Sequence, residues 1–247
     1  MNTPLKPHGW GDDSLAEFLD TARNNVFATF ERLNPAFHFL SEIDKSYRLI
    51  AGNLKNPPEW FVALFLLRAH SSYLGAAHLS LATQLPESFM VQRGCLEHAL
   101  YALYFHHHPD SHERWLRRNE STITRRAVRD EFKTGVMLAL LKKDDVALHA
   151  LVETLYERSI DYGAHPNALA LTQMLKMTET ADGGRFDVRY LTADELTLKF
   201  AIGSIAQVGV ATLRVFQHIW RERFDLIGLS AKLEELRHKL RVLPEHS

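Results

Sequence analysis

The stretch WFVALFLLRAHSSYLGAAHLSLATQLPESFMVQRGCLEHALYALYFHHH, residues 60–108, decides the fold of this 247-residue chain. Its apolar residues recur at spacings of three and four and cover nearly every helical face, which is typical of two helices at the centre of a bundle. We predict the first helix over residues 57–84 and the second over residues 86–108. Because only the tripeptide QLP joins them, they are expected to be antiparallel neighbours.

The rest of the chain also carries mostly helical patterns. Residues 173–191 differ, because Phe186, Val188 and Tyr190 alternate with polar residues after a turn that contains Gly183 and Gly184, which predicts a short β-hairpin. The fold class we expect is all-α: a multi-helix bundle around two central antiparallel apolar helices, in one domain over residues 1–247, with a small β-hairpin insertion and a flexible N-terminus at residues 1–12. Further helices are predicted over residues 13–33, 37–54, 110–118, 124–143, 144–162, 168–175, 194–224 and 230–243.

The composition restricts the partners of the protein. The 29 basic and 30 acidic residues give a net charge of −1, so no overall field attracts nucleic acid or an anionic membrane. A single cysteine, Cys95, excludes a disulfide framework and a cysteine-based zinc site.

The N-terminal segment lacks the pattern of a signal peptide, and the longest apolar run, residues 60–67, is shorter than the roughly 18 residues of a membrane span. We therefore expect a cytoplasmic protein without a membrane partner. No nucleotide-binding or hydrolase motif is present, and no cofactor is indicated.

Three charged residues interrupt the two central helices. Arg93 and Glu97 lie four residues apart, so they share one helical face, and Arg68 interrupts the preceding helix. A charge in such a helix needs a partner, and the three are expected to meet in one network. One interpretation is a core ion cluster that fixes helix register. The other is a polar pocket whose guanidinium groups bind a carboxylate or phosphate.

Histidines suggest two further kinds of site. His98 follows Arg93 by five positions, which gives the pattern R-x4-H of a helical ribonuclease family. In a regular helix these two side chains project roughly 140° apart, so they meet only in an irregular helix or across a dimer. His70 and His78 share nearly one face and, together with Glu97, form the candidate set for a metal-dependent enzyme. Their spacing of eight does not match a chelating pattern, so we assign no metal ligands.

The segment YERSIDYGAHPN, residues 156–167, ends a predicted helix with many hydrogen-bonding side chains, among them Tyr156, Ser159 and Tyr162. His165 precedes a proline, which disfavours the α conformation and directs the chain away from the helix. We predict that this helix end aims His165 into the polar cluster.

Residues 112–133 carry seven basic side chains around Trp115. Such a composition suits the backbone and the bases of single-stranded nucleic acid. Four acidic residues dilute the charge, so a solvated surface with ion pairs is favoured over RNA binding. The preceding histidines at positions 106–108 suit the C-terminal end of a helix.

The stretch LPESFMVQRGCLEHALYALYFHHHPDSHERWLRR, residues 85–118, resembles a group of uncharacterised bacterial helical proteins in which a core helix carries R-x-x-x-E. In that group a later helix ends with serine and then histidine, here Ser159 and His165. The group is similar to HEPN-like proteins, some of which are ribonucleases of toxin or phage-defence systems. The resemblance implies an all-helical homodimer with Arg93, Glu97 and His165 at the matched positions. Gly94 stands where the ribonuclease motif places a polar residue, which argues against nuclease activity.

Three functions follow as hypotheses. The favoured one is a dimeric binding or sensing protein whose pocket for an anionic small molecule is lined by Arg68, Arg93, Glu97, Tyr162 and His165. The first alternative is a HEPN-like ribonuclease in which Arg93 and either His98 or His165 are catalytic. The second alternative is the metal-dependent helical enzyme.

Overall fold

The computed structural model describes residues 6–55, 57, 59–166, 172, 175–180, 183–192 and 194–242. In this part of the chain the secondary structure is helical apart from one two-stranded antiparallel hairpin, which confirms the predicted all-α bundle with a small β insertion. The elements are α1 Ser14–Arg32, α2 Asn34–Asn53, α3 Trp60–Leu81, α4 Leu85–His107, α5 Ser111–Leu116, α6 Thr122–Glu131, α7 Thr134–Asp144, α8 Val146–Ser159, a π-helical turn Ile160–Ala164, β1 Leu175–Thr180, β2 Gly183–Val188, α9 Glu195–Ile219, α10 Arg221–Leu226 and α11 Leu229–Val242.

Helices α3 and α4 form an antiparallel pair at the centre of the bundle, as predicted. Near their connection the hydroxyl oxygens of Ser80 and Ser88 are 2.7 Å apart. At the far end of the pair, the ring centroids of Phe61 and Phe105 are 5.0 Å apart. Residues early in α3 therefore lie beside residues late in α4, which is the arrangement that a short connection imposes.

The connection between α3 and α4 depends on Thr83, which adopts the left-handed conformation with φ 66°. The N–H of Gln84 donates to the carbonyl of Leu79 at 2.9 Å, the long hydrogen bond that closes a Schellman motif. A β-branched residue in this conformation costs about 1–2 kcal/mol. The cost is offset by two bonds, because the Thr83 hydroxyl accepts from the amide of Asn25 at 2.8 Å and its carbonyl accepts from the N–H of Thr192 at 3.0 Å.

Helix α9 packs along α4 and carries the largest share of the core. By length and composition it is apolar enough to cross a membrane, but 67% of its apolar window is buried inside the bundle, as in the core helix of a soluble protein. Two buried polar contacts join α9 to α4. The Ser204 hydroxyl donates to the side-chain oxygen of Gln92 at 2.8 Å, and the sulfur of Cys95 lies 3.5 Å from the hydroxyl of Thr212. Burial raises the pKa of the Cys95 thiol to about 11.

The predicted single helix over residues 124–143 is wrong, because the chain forms α6 and α7 with a break at Phe132 and Lys133. The buried side chain of α6 is Val128, and Phe132, four residues later and just after the helix, is also buried, whereas the next buried residue is Met137. A spacing of five does not continue one apolar stripe. The chain therefore turns so that Phe132 and α7 both reach the core.

Other boundaries differ by smaller amounts. The predicted helix over 194–224 ends at Ile219, and Trp220 leaves the helical conformation before α10 begins. The indole N–H of Trp220 donates there to Glu59 at 3.2 Å, which holds the bend against the start of α3. Helix α2 begins at Asn34, with a proline in its first turn, rather than at residue 37. The predicted helix over 168–175 lies mostly outside the described residues, except that Leu175 belongs to β1.

Helix α3 is central, as predicted, but one of its faces is not covered by any other element in the part of the chain that the structure describes. Leu64 and Leu67 are 46% and 52% exposed, whereas Leu66 between them is 1% exposed. A helix that is apolar on all sides shows by its sequence that it is central, but the sequence does not show which face lacks a neighbour.

Candidate functional site

Arg93 and Glu97 form the centre of the candidate site, on the face of α4 that α7 and α8 approach. The Nε of Arg93 donates to Glu97 Oε1 at 2.9 Å, and the two side chains are 26% and 32% exposed. Burial disfavours the charge of Arg93, but the hydrogen bond and charge of Glu97 raise the pKa of this guanidinium above its usual value. The pair is therefore an ion pair that water still reaches, not a sealed core cluster.

Tyr156 of α8 completes the support of this ion pair. Its hydroxyl donates to Glu97 Oε1 at 3.0 Å, and the guanidinium carbon of Arg93 lies 5.1 Å from the centre of its ring. The hydroxyl of Thr134, at the start of α7, is 3.2 Å from the same phenol oxygen. Burial raises the pKa of Tyr156, so at neutral pH the phenol keeps the proton that it donates to Glu97.

His165 reaches the cluster from the chain that follows α8. Its Nε2 lies 3.0 Å from Nη1 of Arg93. A guanidinium can only donate, so Nε2 is the acceptor and the imidazole in this arrangement is neutral with its proton on Nδ1. The backbone of His165 is extended, with φ −134° and ψ 149°, as expected for a residue before proline. The predicted contact between Arg93, Glu97 and this helix end is present.

A π-helical turn, residues 160–164, sets the position of His165. The turn packs so closely on the start of α4 that a Cβ atom on Gly163 would lie 2.1 Å from the carbonyl oxygen of Pro86. Only glycine permits this approach, which brings the residues after α8 over α4. Turns of this kind occur often at functional sites, because the extra residue redirects the side chains that follow.

His98 points to the other side of α4 and does not meet Arg93. Its ring lies 6.3 Å from that of Phe65, and the charge of Arg68 acts on it. Burial, together with Arg68, lowers the pKa of His98, although the nearby carbonyl of Gly94 opposes this. Its Nδ1 is buried and forms no regular hydrogen bond within the part of the chain that the structure describes.

The depressed pKa of His98 predicts an acid-dependent loss of stability. The unfolded chain binds a proton at this histidine near its ordinary pKa of about 6.5, whereas the folded chain binds it only at lower pH. The free energy of unfolding should therefore fall as the pH drops from about 6.5 toward the lower folded value. We expect a smaller loss for His98→Gln than for the wild type when melting temperatures are compared at pH 7.5 and pH 5. The control is His238→Gln, at an exposed histidine of α11, and equal losses for His98→Gln and the wild type would contradict the prediction.

Arg68 and Tyr162, two residues of the predicted pocket, lie outside the cluster. Arg68 is exposed on α3 and acts on His98, and among the described residues no hydrogen bond or ion pair joins it to Arg93 or Glu97. The Tyr162 ring packs between Phe89 and Phe200, at centroid distances of 5.1 and 5.0 Å. The cluster thus contains one arginine rather than two, and Tyr156 occupies the place expected for Tyr162.

The histidines of the metal hypothesis have other partners. His70 Nε2 lies 2.7 Å from a carboxylate oxygen of Asp44, and its ring stacks on Tyr47 at 4.9 Å. Glu97 belongs to the arginine cluster, and His78 is exposed near the end of α3. Within the described ranges, no group of three or more histidine, cysteine or acidic side chains is arranged to hold a metal ion.

The basic segment over residues 112–133 is held largely by ion pairs and aromatic packing. Arg114 bonds to Glu131 at 2.7 Å, and the Trp115 ring packs against Phe61 and Phe65 rather than facing solvent as a platform for bases. An open depression of about 350 Å³ lies on the outer face of α6, lined by Thr122, Arg125, Arg126 and Arg129. These residues come from a single helix, so within the described part of the chain no second element walls the depression.

Comparison of the chain with protein-family models, with curated proteins and with solved structures gives no match. The similarity to HEPN-like proteins stays a prediction from the sequence pattern.

Tyr156 and Thr134, which sequence reasoning did not assign to the site, are identified by their contacts alone. The sequence contained one indication of such residues, because the carboxylate of Glu97 needs a hydrogen-bond donor in addition to Arg93.

Proposed function

We propose that this protein is a binding protein for a small anionic ligand, which it holds at Arg93, whose guanidinium is positioned by Glu97 and Tyr156 and contacts His165 when no ligand is bound. The observation that carries the proposal is the contact between Nη1 of Arg93 and the neutral Nε2 of His165, at a place that solvent reaches. An oxygen of a carboxylate or phosphate is a stronger acceptor for a guanidinium than a neutral imidazole is. Such an anion is expected to take the place of His165 on Nη1.

The surroundings of Arg93 suit this role. Glu97 fixes the guanidinium through Nε, and the ring of Tyr156 supports one of its faces. A guanidinium that is held in one plane loses little conformational freedom when it binds a planar anion. Because Glu97 already balances the charge of Arg93, the affinity is expected to depend on hydrogen-bond geometry more than on net charge.

Thermal unfolding in the presence of inorganic phosphate, a dicarboxylate and a nucleotide tests the proposal. At about a hundredfold excess over Kd, one of these probes should raise the melting temperature of the wild type by about 5–10 °C. Arg93→Gln should remove most of that shift, since a charge-assisted hydrogen bond contributes about 1.5–3 kcal/mol.

The matched control is Arg48→Gln. Arg48 also forms an ion pair through Nε with a carboxylate four residues away, Asp44, at 2.8 Å, but among the described residues no hydrogen bond or ion pair is shown between it and α8 or His165. This variant should keep the full ligand-dependent shift. The proposal fails if none of the probes stabilises the wild type, or if the two variants respond alike.

The geometry gives less support to the two alternatives. A ribonuclease with Arg93 and His98 requires the two side chains to meet, and they lie on different sides of α4. The pairing of Arg93 with His165 brings an arginine and a histidine together, but Glu97 takes the Nε of the same guanidinium. For the metal-dependent enzyme, His70 and Glu97 are each bound to other side chains.

A further inference from the structure

Three exposed arginines on the outer side of α6 border one depression. They are Arg125, Arg126 and Arg129, which together with Thr122 line the open depression of about 350 Å³. We refer to the three arginines as the α6 arginine face. Because the three side chains border one space, their charges act together on a ligand that enters it.

The ion pairs of this segment do not neutralise the α6 arginine face. At the end of α6, Glu131 bonds to Arg114 at 2.7 Å, and Asp130 lies 3.1 Å from Lys133. Arg129 is 3.8 Å from the same oxygen of Asp130. Within the described residues, no ion pair joins the other two arginines of the face to a carboxylate. The pairs that the sequence predicts therefore form around the face and leave the face itself positive.

The fold does not need arginines at these positions. The buried side chain of α6 is Val128, so the arginines have no part in the core. Arg129 lies four residues after Arg125 and three after Arg126, and like charges at these spacings destabilise a helix. An anion bound to the face would remove this repulsion.

Helix α11 shows how the same chain arranges a helix surface that stays in water. There Lys239 pairs with Glu235 at 2.7 Å, and Arg237 pairs with Glu234 at 2.5 Å. A surface with both signs of charge interspersed is typical of solvated helices. Residues 122–129 of α6 contain three arginines and no acidic residue. The α6 arginine face is therefore charged in the manner of a binding surface.

We propose that the α6 arginine face binds the phosphate backbone of a nucleic acid duplex without reading its sequence. The first and last arginines of the face are about 6 Å apart along the helix axis. Over about 6 Å of its axis, a duplex presents about two phosphates on each strand. Three guanidinium groups can therefore contact neighbouring phosphates of one backbone, and guanidinium is well suited to phosphate because it can donate two parallel hydrogen bonds.

Other anionic partners fit this face less well. A single strand binds through aromatic side chains on which its bases stack, and the ring of Trp115 packs against Phe61 and Phe65 instead. A small phosphate compound needs a pocket that encloses it, whereas this depression is lined by one helix. A protein interface or a membrane-bound helix needs a wide apolar area. Of the residues of α6, Val128 faces the bundle and Ile123 is a single exposed large apolar side chain.

The salt dependence of duplex binding tests the proposal. Fluorescence anisotropy of a labelled DNA duplex of about 20 base pairs is measured with the full chain between 25 and 200 mM KCl. The logarithm of the association constant should fall linearly with the logarithm of the salt concentration, with a slope of about −2 to −3, since each neutralised phosphate contributes about −0.9. Arg126→Gln should reduce this slope by about 0.9 and weaken binding about 10-fold at 50 mM salt. Replacement of all three arginines by glutamine should remove measurable binding.

The matched control is Arg221→Gln, at an exposed arginine of α10 that forms no ion pair among the described residues. This variant should bind the duplex as the wild type does. Arg93→Gln should also bind it normally, because Arg93 lies on α4, so the result is independent of the experiment with small anions. Far-UV circular dichroism establishes that each variant is folded.

Competition experiments identify the kind of polyanion. A single strand of the same length, polyglutamate and phosphatidylserine vesicles should each bind more weakly than the duplex at 50 mM salt. The proposal is overturned if the wild type does not bind the duplex at this salt concentration, or if the folded triple variant binds it as tightly as the wild type. Tighter binding of the single strand, the polyglutamate or the vesicles than of the duplex would also overturn it.

Discussion

Replacement of Gly209 by alanine should lower the free energy of unfolding by about 3 kcal/mol. Gly209 lies in the middle of α9, where a Cβ atom would be 2.7 Å from the Tyr73 ring and 2.8 Å from Cγ2 of Ile43. Neither neighbour has space to withdraw. Both are buried, and the hydroxyl of Tyr73 is held by the carbonyl of Leu40 at 2.8 Å. The methyl group would therefore push α9 away from α2 and α3.

The control for this substitution lies in the same helix. Gly203 is also a helical glycine of α9, but a Cβ atom there meets nothing within 4 Å. Gly203→Ala should stabilise the protein by about 0.5–1 kcal/mol, the usual gain in helix propensity. Urea unfolding followed by far-UV circular dichroism gives both values. A Gly209→Ala variant as stable as the wild type would show that α9 does not pack against Tyr73 as described.

The second large effect is expected at Gln92, where Gln92→Leu should cost about 2–4 kcal/mol. Gln92 is 1% exposed and spans the space between two helices. Its oxygen accepts from the hydroxyl of Ser204 at 2.8 Å, and its nitrogen donates to Ser88 at 3.2 Å. Leucine has a similar volume but leaves the Ser204 hydroxyl buried without that acceptor.

Gln217→Leu is the matched control for Gln92→Leu. Gln217 is a half-buried glutamine of α9 whose nitrogen donates to the Ser230 hydroxyl at 2.9 Å. Because water can replace that bond, the loss of stability should stay below about 1 kcal/mol. For the two variants, the urea concentrations at the midpoints of unfolding are compared, with the slope of the free energy of unfolding against urea concentration held the same. Equal losses would mean that the buried network contributes no more than a surface hydrogen bond.

The architecture was predictable because the apolar period of the sequence is strong over residues 60–108 and changes clearly at the hairpin. The break between α6 and α7 was not predictable, because Val136 lies four residues after Phe132 and continues the apolar pattern of the sequence, although it is 43% exposed in the structure. The exposed side of α3 was not predictable, because it depends on where the other helices end in space.

Part of the candidate site could be predicted and part could not. The spacing of four between Arg93 and Glu97 and the proline after His165 predicted a helix face and a redirected chain, and both are present. Arg68 was grouped with them because a charge in an apolar helix needs a partner, yet its position at an exposed face removes that need. The contact between Tyr156 and Glu97 joins residues 59 positions apart, a distance over which local patterns carry no information.

The environment of Cys95 determines which experiments with thiol reagents are possible. Its sulfur is enclosed by α3, α4 and α9, and with a pKa of about 11 almost none of it is thiolate at neutral pH. Maleimides and disulfide reagents react with thiolate, so the native chain should remain unlabelled while it is folded. A cysteine introduced at an exposed position such as Ser14 is therefore the one site that a spin label or fluorophore would modify, without any need to remove Cys95 first.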